Sequence, residues 1–319
     1  MTAPHSVSVV IPVYNGGPSL PDLVSRVTAM SAASPDLDVI EIILVDDASP
    51  DNSWAVIEDL AEHNPVVRGV ALARNFGQHA ALLAGILETS ADVIVTMDDD
   101  LQHLPEEIPR LVAGLTPGVD LAYGRSIKEE HGAYRNVSSR FAKWAVSAAA
   151  GSEVAKLTSG FRAFRGWLRT GLAQRTSPHV SLDVILSWMT DRIVPVPVEM
   201  QQRQHGQSNY TFGRLLRYAL TMLFGFSTVP LRLVSYLGLI VGGLGGIMFI
   251  WVVVQYLLPG SHVPGFAFLA SAIAVFSGVQ LVSLGILGEY VARLYSGSLG
   301  HPPFVERERT TERGGAGRG

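Results

Sequence analysis

The chain has 319 residues, of which 48% are hydrophobic and 16% are charged, and its formal net charge at pH 7 is -4. This length fits one or two domains, and the absence of cysteine excludes disulfides, thiolate metal sites and cysteine nucleophiles. The negative net charge, without a basic stripe interleaved with aromatic residues, argues against a nucleic-acid partner.

The N-terminus does not resemble a secretory signal peptide. The first 13 residues contain no Lys or Arg, and Pro12 follows an apolar run without a small-residue cleavage site. A signal peptide would begin with a positively charged region. We therefore expect the N-terminal half to remain in the cytoplasm.

Short runs rich in Val and Ile alternate with amphipathic stretches from residue 7 to residue 124. Strands that are buried on both faces and linked by crossover helices have this pattern. It predicts an α/β domain with a mostly parallel sheet. The predicted strands cover residues 7–13, 40–45, 67–73, 92–97 and 120–124, and helices include residues 51–63 and 105–115.

Two polar segments follow the first two predicted strands. Pro12-Val13-Tyr14-Asn15-Gly16-Gly17 comes after the first, and Asp46-Asp47-Ala48-Ser49-Pro50-Asp51 comes after the second. Ligands of open α/β sheets bind at these carboxyl ends. Either segment alone is explained as well by ordinary turn residues, so a ligand site here is a hypothesis at this stage.

The fourth predicted strand runs directly into Asp98, Asp99 and Asp100. Neighbouring carboxylates repel one another unless a cation binds. Asp98 and Asp100 can offer oxygens to one Mg²⁺ or Mn²⁺, and Gln102 can add a neutral oxygen, because these hard ions prefer oxygen ligands. A solvated acidic loop is the alternative, which the position at a strand end makes less attractive.

Several basic residues follow without a nearby acidic partner in the sequence. Such groups suit phosphate binding by charge-assisted hydrogen bonds, although each one alone is more simply a surface charge. They are Arg125, Arg135, Arg140, Lys143, Arg162, Arg165 and Arg203.

The C-terminal third contains two long uncharged segments, residues 233–258 and 266–288. The first would be about 39 Å long as a helix, against a bilayer core of about 30 Å. Arg232 precedes the first segment and Arg293 follows the second, whereas the connecting loop has no Lys or Arg. The pattern predicts a two-helix transmembrane hairpin with both flanks in the cytoplasm; a buried hairpin in a soluble core is disfavoured by the length.

The order and spacing of six motifs resemble the polyprenyl-phosphate glycosyltransferases of glycosyltransferase family 2, over nearly the whole chain. The motifs are Pro12-Val13-Tyr14-Asn15, Val45-Asp46-Asp47-Ala48-Ser49, Arg74-Asn75-Phe76-Gly77, Asp98-Asp99-Asp100-Leu101-Gln102-His103, Thr158-Ser159-Gly160-Phe161-Arg162 and Arg203-Gln204-His205-Gly206-Gln207-Ser208-Asn209-Tyr210.

This resemblance implies a GT-A-type, Rossmann-like nucleotide-sugar domain followed by the transmembrane hairpin. We expect a cytoplasmic catalytic domain over residues 1–209 and amphipathic juxtamembrane helices over residues 210–232. The hairpin would cover residues 233–290. A cytoplasmic tail, residues 291–319, would follow, and we expect its polar end from residue 306 onward to be disordered.

The resemblance also implies the reaction and its residues. A UDP- or GDP-sugar would be the donor, and a single displacement with inversion would pass the sugar to a polyprenyl phosphate in the bilayer. The implied catalytic residues are Asp98, Asp100, Arg125 and Arg135; the metal ligands are Asp98, Asp100 and Gln102; the nucleotide-sugar contacts are Pro12, Tyr14, Asn15, Asp46, Asp47, Ala73 and Asp99; the lipid-phosphate contacts are Arg125, Arg135, Ser139 and Arg203.

One departure from the family concerns the general base. Relatives often carry an acidic residue just before or within the Thr-Ser-Gly-Phe-Arg segment, whereas this chain has Lys156 and Gly160. A phosphate monoester is already largely ionised near neutral pH, because its second pKa is about 6. The acceptor therefore does not require a base.

Two other functions and one assembly state stay open at this stage. A polysaccharide-extending transferase usually carries a Gln-x-x-Arg-Trp motif, and Gln201-Gln202-Arg203-Gln204 lacks the Trp. A nucleotide-binding membrane scaffold without catalysis is the other alternative, which the intact acidic cluster argues against. A homo-oligomer is compatible with the sequence.

Overall fold

The computed structural model describes residues 5–127, 158–173, 182–201, 229–257 and 265–310. The side chains of some positions inside the last two helices also lie outside the described set.

A mixed sheet forms the centre of the catalytic part. Within the described ranges it has eight strands in the order β7-β5-β6-β4-β1-β2-β3-β8. Neighbouring strands run parallel except that β6 is antiparallel to β4 and β5, and β8 is antiparallel to β3. The strands are β1 His5–Val13, β2 Leu37–Asp46, β3 Val67–Leu72, β4 Val93–Thr96, β5 Leu121–Ser126, β6 Arg162–Arg165, β7 Ile193–Val198 and β8 Glu306–Arg309.

Helices cover both faces of this sheet and divide its core into two clusters. One cluster packs α1, α2 and α4 against one face, and the other packs α3, α5 and α6 against the opposite face. The helices are α1 Leu20–Ala33, α2 Ser53–His63, α3 Gln78–Glu88, α4 Ile108–Ala113, α5 Leu168–Ala173, α6 Leu182–Met189, α7 Val229–Leu257 and α8 Gly265–Ser298.

Burial on both faces explains why the first strands are continuous apolar runs. Val9 and Val10 point to opposite faces of β1, and neither is exposed to solvent. Gly85 of α3 allows the helix to approach closely, because a Cβ there would lie 2.5 Å from a methyl group of Val10. The five predicted strands and the mostly parallel α/β fold are confirmed.

The expectation of a disordered end is wrong for part of the tail. Glu306–Arg309 forms the edge strand β8 beside β3. β8 bonds to the backbone groups along the edge of β3. The guanidinium of Arg309 also donates a hydrogen bond of 2.7 Å to the carboxylate of Glu88. The alternating Glu and Arg residues predicted a solvated tail, because Glu88, the partner of Arg309, is distant in the sequence. Residues 311–319 lie outside the described ranges.

Two long helices, α7 and α8, occupy the C-terminal third, and many of their apolar side chains face outward. Leu239, Ile247 and Leu281 are 73%, 67% and 68% exposed, respectively. A search of the described residues finds no helix with the length and apolar character needed to cross a membrane. The predicted juxtamembrane helices fall almost wholly on residues 202–228, which lie outside the description.

Candidate active site

A cavity of about 280 Å³ opens at the carboxyl ends of β1, β2 and β4. Because these strands are parallel neighbours, their last residues meet at one edge of the sheet. The cavity therefore collects side chains from the motifs that the sequence analysis singled out. It is lined by Pro12, Val13, Tyr14, Asp47, Asn75, Gly77, Gln78, Asp98, Asp99 and Asp100.

The first carboxylate of the acidic cluster, Asp98, is held from three sides. The amide of Gln78 donates a hydrogen bond of 2.6 Å to its Oδ1. The backbone N–H of Asp98 donates to Nδ1 of His103 at 3.2 Å. Gly160 lies against the carboxylate, because a Cβ at residue 160 would be 2.8 Å from Oδ2. A side chain at position 160 would therefore require the Asp98 carboxylate to shift.

His103 supports this arrangement from within the core. Its ring is stacked on Phe161 with a centroid distance of 5.2 Å, and the residue is buried. Burial lowers the pKa of His103 against the opposing effect of Asp98. Nδ1 of the neutral ring accepts a hydrogen bond from the backbone N–H of Asp98. The proton of the ring is therefore on Nε2.

The middle carboxylate, Asp99, turns toward the first strand. The backbone N–H of Tyr14 faces its Oδ2 at 3.4 Å, and Ser19 donates to its carbonyl at 2.6 Å. Gly16 is required here, since a Cβ would stand 2.0 Å from Oδ2 of Asp99. Burial raises the pKa of Asp99 to about 7, with Asp98 and Asp100 adding to the effect.

The third carboxylate, Asp100, begins a tight turn. Its Oδ1 accepts the backbone N–H of Gln102 at 3.1 Å, and Leu101 between them has a left-handed φ of 58°. The turn then pairs with the segment after β7, where Gln201 N–H donates to the Gln102 carbonyl at 3.0 Å. This pairing places Gln201 beside the turn that follows the acidic cluster.

Asp47 shapes the opposite wall of the cavity. It is buried, and its two oxygens accept the backbone N–H groups of Phe76 and Gly77 at 2.7 and 2.8 Å. Gly77 adopts a φ of 93° and directly precedes Gln78. Burial raises the pKa of Asp47 against these two hydrogen bonds. The carboxylate thus fixes the turn that presents Gln78 to Asp98.

Not every predicted site residue lines the cavity. Asp46 is buried and accepts the N–H of Ser49 at 3.2 Å, which keeps its carboxylate within its own turn. Ala73 is exposed at the end of β3, where its N–H donates to Val305. Arg125 is exposed at the end of β5.

The remaining predicted site residues have two outcomes. Gln102 and Asn15 flank the lining residues. The predicted lipid-phosphate contacts Arg135, Ser139 and Arg203 lie outside the described residues.

Two of the arginines that suggested phosphate binding are structural instead. Arg162 is 1% exposed, donates to Oγ1 of Thr96 at 2.9 Å and forms an ion pair with Asp183. Asp183 also accepts the hydroxyl of Tyr123 at 2.9 Å. Arg165 donates to backbone carbonyls at the end of α4 and beyond, including that of Leu115. Their acidic or carbonyl partners are distant in sequence, so the sequence did not indicate them.

Gln78 and His103 are the residues whose roles the sequence analysis missed. Gln78 directly follows the Arg74-Asn75-Phe76-Gly77 motif, and His103 ends the acidic motif. The sequence signal at these positions is that Gln78 adjoins one recognised motif and His103 belongs to another. Across the parts of the chain that the structure describes, no three His, Asp or Glu side chains converge into a preformed metal centre.

Comparison with known proteins places these features in a family. The family model described as "Glycosyl transferase family 2" matches residues 8–170. The undecaprenyl-phosphate 4-deoxy-4-formamido-L-arabinose transferase of Pseudomonas fluorescens (strain SBW25) is 36% identical over 303 residues, which are 94% of this chain and 88% of the relative. The protein of the same name from Proteus mirabilis (strain HI4320) is 33% identical over 304 residues, or 94% of this chain and 92% of the relative.

Solved structures show the same fold at lower identity. A mannosyltransferase from Pyrobaculum calidifontis, in complex with GDP-Man and Mn²⁺, matches with a TM-score of 0.52 and 17% identity over 93% of this chain and 87% of that chain. A glucosyl-3-phosphoglycerate synthase from Mycobacterium tuberculosis matches with a TM-score of 0.50 and 21% identity over 69% of this chain and 79% of that chain. The GT-A-like α/β fold is thereby confirmed.

The α/β sheet, with the acidic cluster and the cavity at its carboxyl edge, and the family match together identify a glycosyltransferase with a GT-A-like fold. The chain belongs to glycosyl transferase family 2. The resemblance to the polyprenyl-phosphate glycosyltransferases of that family is confirmed by the full-length relatives.

Proposed function

We propose that this glycosyltransferase passes a sugar from a nucleotide diphosphate sugar to a polyprenyl phosphate at the cytoplasmic face of a membrane. The observation that carries the proposal is the cavity in which Tyr14 and Asp47 face the acidic cluster. Relatives named for transfer to undecaprenyl phosphate match 94% of this chain, which supports a lipid phosphate as the acceptor.

The reaction would be a single displacement with inversion. An oxygen of the acceptor phosphate forms the new bond to the anomeric carbon, while the bond from that carbon to the donor diphosphate breaks and the nucleoside diphosphate leaves with both electrons. No proton needs to be removed, because the acceptor is largely ionised at neutral pH. Residue 160 is a glycine, which cannot itself act as a base, and this agrees with a reaction that needs none.

A divalent cation fits the donor set. Gln78 donates to Oδ1 of Asp98, and Asp98 and Asp100 both line the cavity. Two carboxylates together with substrate phosphate oxygens form the usual protein site for Mg²⁺, which explains why no preformed cluster of three is needed. Asp98 and Asp100, with Gln102 at the turn, would hold Mg²⁺ or Mn²⁺. The ion would neutralise charge on the leaving diphosphate.

The other residues would position the two substrates. Pro12, Tyr14, Asp47 and Asp99, which line the cavity, would contact the nucleotide sugar, with Asn15 beside them; Asp46 and Ala73, also assigned to the donor, do not line the cavity. Arg125, at the end of β5 on the same edge of the sheet, would bind the acceptor phosphate by charge-assisted hydrogen bonds. Arg135, Ser139 and Arg203 complete this proposed acceptor site. Catalysis would then come from positioning and electrostatic stabilisation.

A transfer assay tests the reaction. Purified protein in detergent would receive undecaprenyl phosphate, Mg²⁺ or Mn²⁺, and a panel of UDP- and GDP-sugars that includes 4-deoxy-4-formamido-L-arabinose as the sugar. We expect lipid-linked product with at least one donor, and none from Asp100→Ala protein that still folds. Absence of product with every donor, from protein that binds a nucleotide, would refute the proposal. So would full activity of Asp100→Ala.

We further propose that α7 and α8 form a membrane hairpin with spans over residues 233–258 and 266–288. The uncharged sequence of both segments supports it, as do the exposed side chains of Leu239, Ile247 and Leu281, since monomeric soluble proteins rarely expose so large an apolar surface. Both termini and residues 1–209 would lie in the cytoplasm.

The absence of cysteine makes this topology directly testable. Single variants Ser261→Cys, in the connecting loop, and Ser298→Cys, at the end of α8, would be labelled in intact cells with a membrane-impermeant maleimide. We expect labelling of Ser261→Cys alone, and labelling of both after the cells are lysed. Labelling of both in intact cells, or of Ser298→Cys alone, would contradict the hairpin.

A further inference from the structure

The chain returns from the second long helix to the catalytic sheet. After α8 ends at Ser298, residues 299–305 lead to β8, which pairs antiparallel with β3 so that Val70 faces Arg309 and Leu72 faces Glu306. The pairing is extended at both ends. Ala73 N–H donates to the Val305 carbonyl at 2.8 Å, and Thr310 N–H donates to the Gly69 carbonyl at 3.0 Å.

Side chains anchor this strand to the domain. Arg309 donates to Glu88 at the end of α3 at 2.7 Å, and Glu88 also lies 3.8 Å from Arg68 of β3. Thr310 Oγ1 accepts the N–H of Gly69 at 2.8 Å. The lack of a side chain at Gly69 makes this approach feasible, because a Cβ would lie 2.9 Å from the Thr310 methyl group. Phe304 packs against the core beneath α3.

The strand order shows where the two connections to the α7–α8 pair leave the sheet. Its two outermost strands are β7 and β8, and these are the described strands that precede and follow the α7–α8 pair in the chain. β7 runs parallel to β5 and ends at Val198, whereas β8 begins at Glu306 beside the end of β3. Both connections to the helix pair therefore leave from the edge of the sheet that carries Asp98.

The second connection is short and partly helical. α8 continues from Glu289, the first charged residue after the apolar segment, to Ser298 without a break. Ten helical residues extend about 15 Å. Only residues 299–305 separate the end of this helix from the sheet, and Gly300 in that link has a φ of 65°. Phe304 packs against the core, Val305 is bonded to Ala73 and Leu299 is bonded to Tyr295, so only residues 300–303 bridge the helix and the domain, with a reach of at most about 14 Å.

We propose that residues 299–310 act as a strap that holds the cavity at a fixed height and orientation over the bilayer, and so makes the enzyme selective for acceptors embedded in a membrane. This inference rests on the proposed function. A lipid phosphate cannot leave the headgroup level, so its reaction depends on where the cavity is held. A short prenyl phosphate dissolved in water can diffuse into the cavity at any height. Holding reactants in register contributes strongly to rate, and a loose tether lowers the effective concentration of one partner near the other.

Lengthening the strap without removing it tests the proposal. A flexible Gly/Ser insert of about 12 residues after Gly300 would keep β8 and add about 20 Å of reach. The same insert after Gly118, an exposed turn before β5 with a φ of 90°, is the matched control. Each protein would be reconstituted in liposomes and assayed with undecaprenyl phosphate in the bilayer. The same liposomes, in detergent-free buffer, would then be assayed with a short, water-soluble prenyl phosphate.

A second variant loosens the strap at constant length. Arg309→Glu would place a negative charge beside Glu88 and Glu306, with which Arg309 now forms ion pairs. Nucleotide binding by each variant, measured by calorimetry, reports whether the cavity is intact.

We expect the insert after Gly300 to lower kcat/KM with the liposomal acceptor by about tenfold or more, while kcat/KM with the soluble acceptor and the nucleotide Kd change by less than about twofold. Arg309→Glu should shift the same ratio in the same direction, and the Gly118 insert should not. An unchanged liposomal rate after the Gly300 insert would overturn the strap, as would an equal loss with both acceptors. Failure of the unaltered protein to transfer to either acceptor would instead overturn the proposed function on which the strap rests.

Discussion

The side-chain amide of Gln78 donates a hydrogen bond of 2.6 Å to Oδ1 of Asp98, which joins the first residue of α3 to the first carboxylate of the acidic cluster. Gln78 is itself placed by the turn that Asp47 holds through the amides of Phe76 and Gly77. The carboxylate is therefore oriented before any substrate binds. Preorganised ligands of this kind bind metals more tightly than mobile ones.

Replacing Gln78 by Met should weaken metal binding. The variant Gln78→Met keeps the length of the side chain but removes the donor, so the Asp98 carboxylate can rotate. We expect Mn²⁺ affinity to fall by about tenfold, in line with the loss of other outer hydrogen bonds to metal ligands. Titration of Mn²⁺ followed by electron paramagnetic resonance measures this without turnover. A Kd within twofold of the unaltered protein would show that Gln78 does not orient the ligand.

Adding a methyl group at Gly160 should impair transfer with little effect on folding. In Gly160→Ala the new Cβ would lie 2.8 Å from Asp98 Oδ2, so the carboxylate must move. A displacement of about 1 Å at a reacting centre can cost about a hundredfold in rate. We expect at least a tenfold loss of transfer. Gly297→Ala in α8, where a Cβ meets no atom within 4 Å, is the control and should retain full activity.

Breaking the buried ion pair should destabilise the catalytic part. Asp183→Ala leaves the guanidinium of Arg162, which is 1% exposed, without its acidic partner. Removal of one member of a buried pair costs about 3 to 5 kcal/mol. Asp59→Ala removes an exposed pair with His63 and should change the free energy of unfolding by less than about 1 kcal/mol. Similar denaturation midpoints for the two variants would contradict a structural role for Arg162.

The raised pKa of Asp99 predicts a dependence of stability on pH in metal-free buffer. In the folded protein its pKa is about 7, against 3.8 for the ordinary group, so the folded state binds this proton more tightly than the unfolded state. The contribution of Asp99 to stability is full below about pH 4 and is lost as pH rises toward 7. Each unit of pKa shift corresponds to about 1.4 kcal/mol.

The variant Asp99→Asn isolates this effect, because its side chain carries no charge at any pH. We expect its melting temperature in EDTA-containing buffer to exceed that of the unaltered protein at pH 8 and to approach it as the pH falls below 5. A difference that is constant between pH 5 and pH 8 would show that Asp99 does not titrate in this range.

The sequence predicted the parallel half of the sheet and the acidic edge of the cavity well. Residues 93–96 are buried on both faces and end two residues before Asp98, so the periodicity and the motif pointed to the same place. The sequence analysis missed the parallel edge strand β7, which contains two prolines, and the antiparallel strands β6 and β8. β6 has Arg162 and Arg165 at its two ends, and its burial depends on Asp183 and on backbone carbonyls that are distant in sequence. β8 likewise depends on Glu88.

The close contacts of Gly16 and Gly160 with the acidic cluster have a practical consequence for engineering donor choice. Mutagenesis libraries that aim to change the accepted sugar should leave both positions untouched, because any side chain there would meet a carboxylate oxygen at 2.0 or 2.8 Å. Diversity belongs instead at Tyr14 and Asn75, which line the same cavity and are exposed. The two glycines that support the carboxylates should therefore be kept, and the two exposed lining positions can be varied.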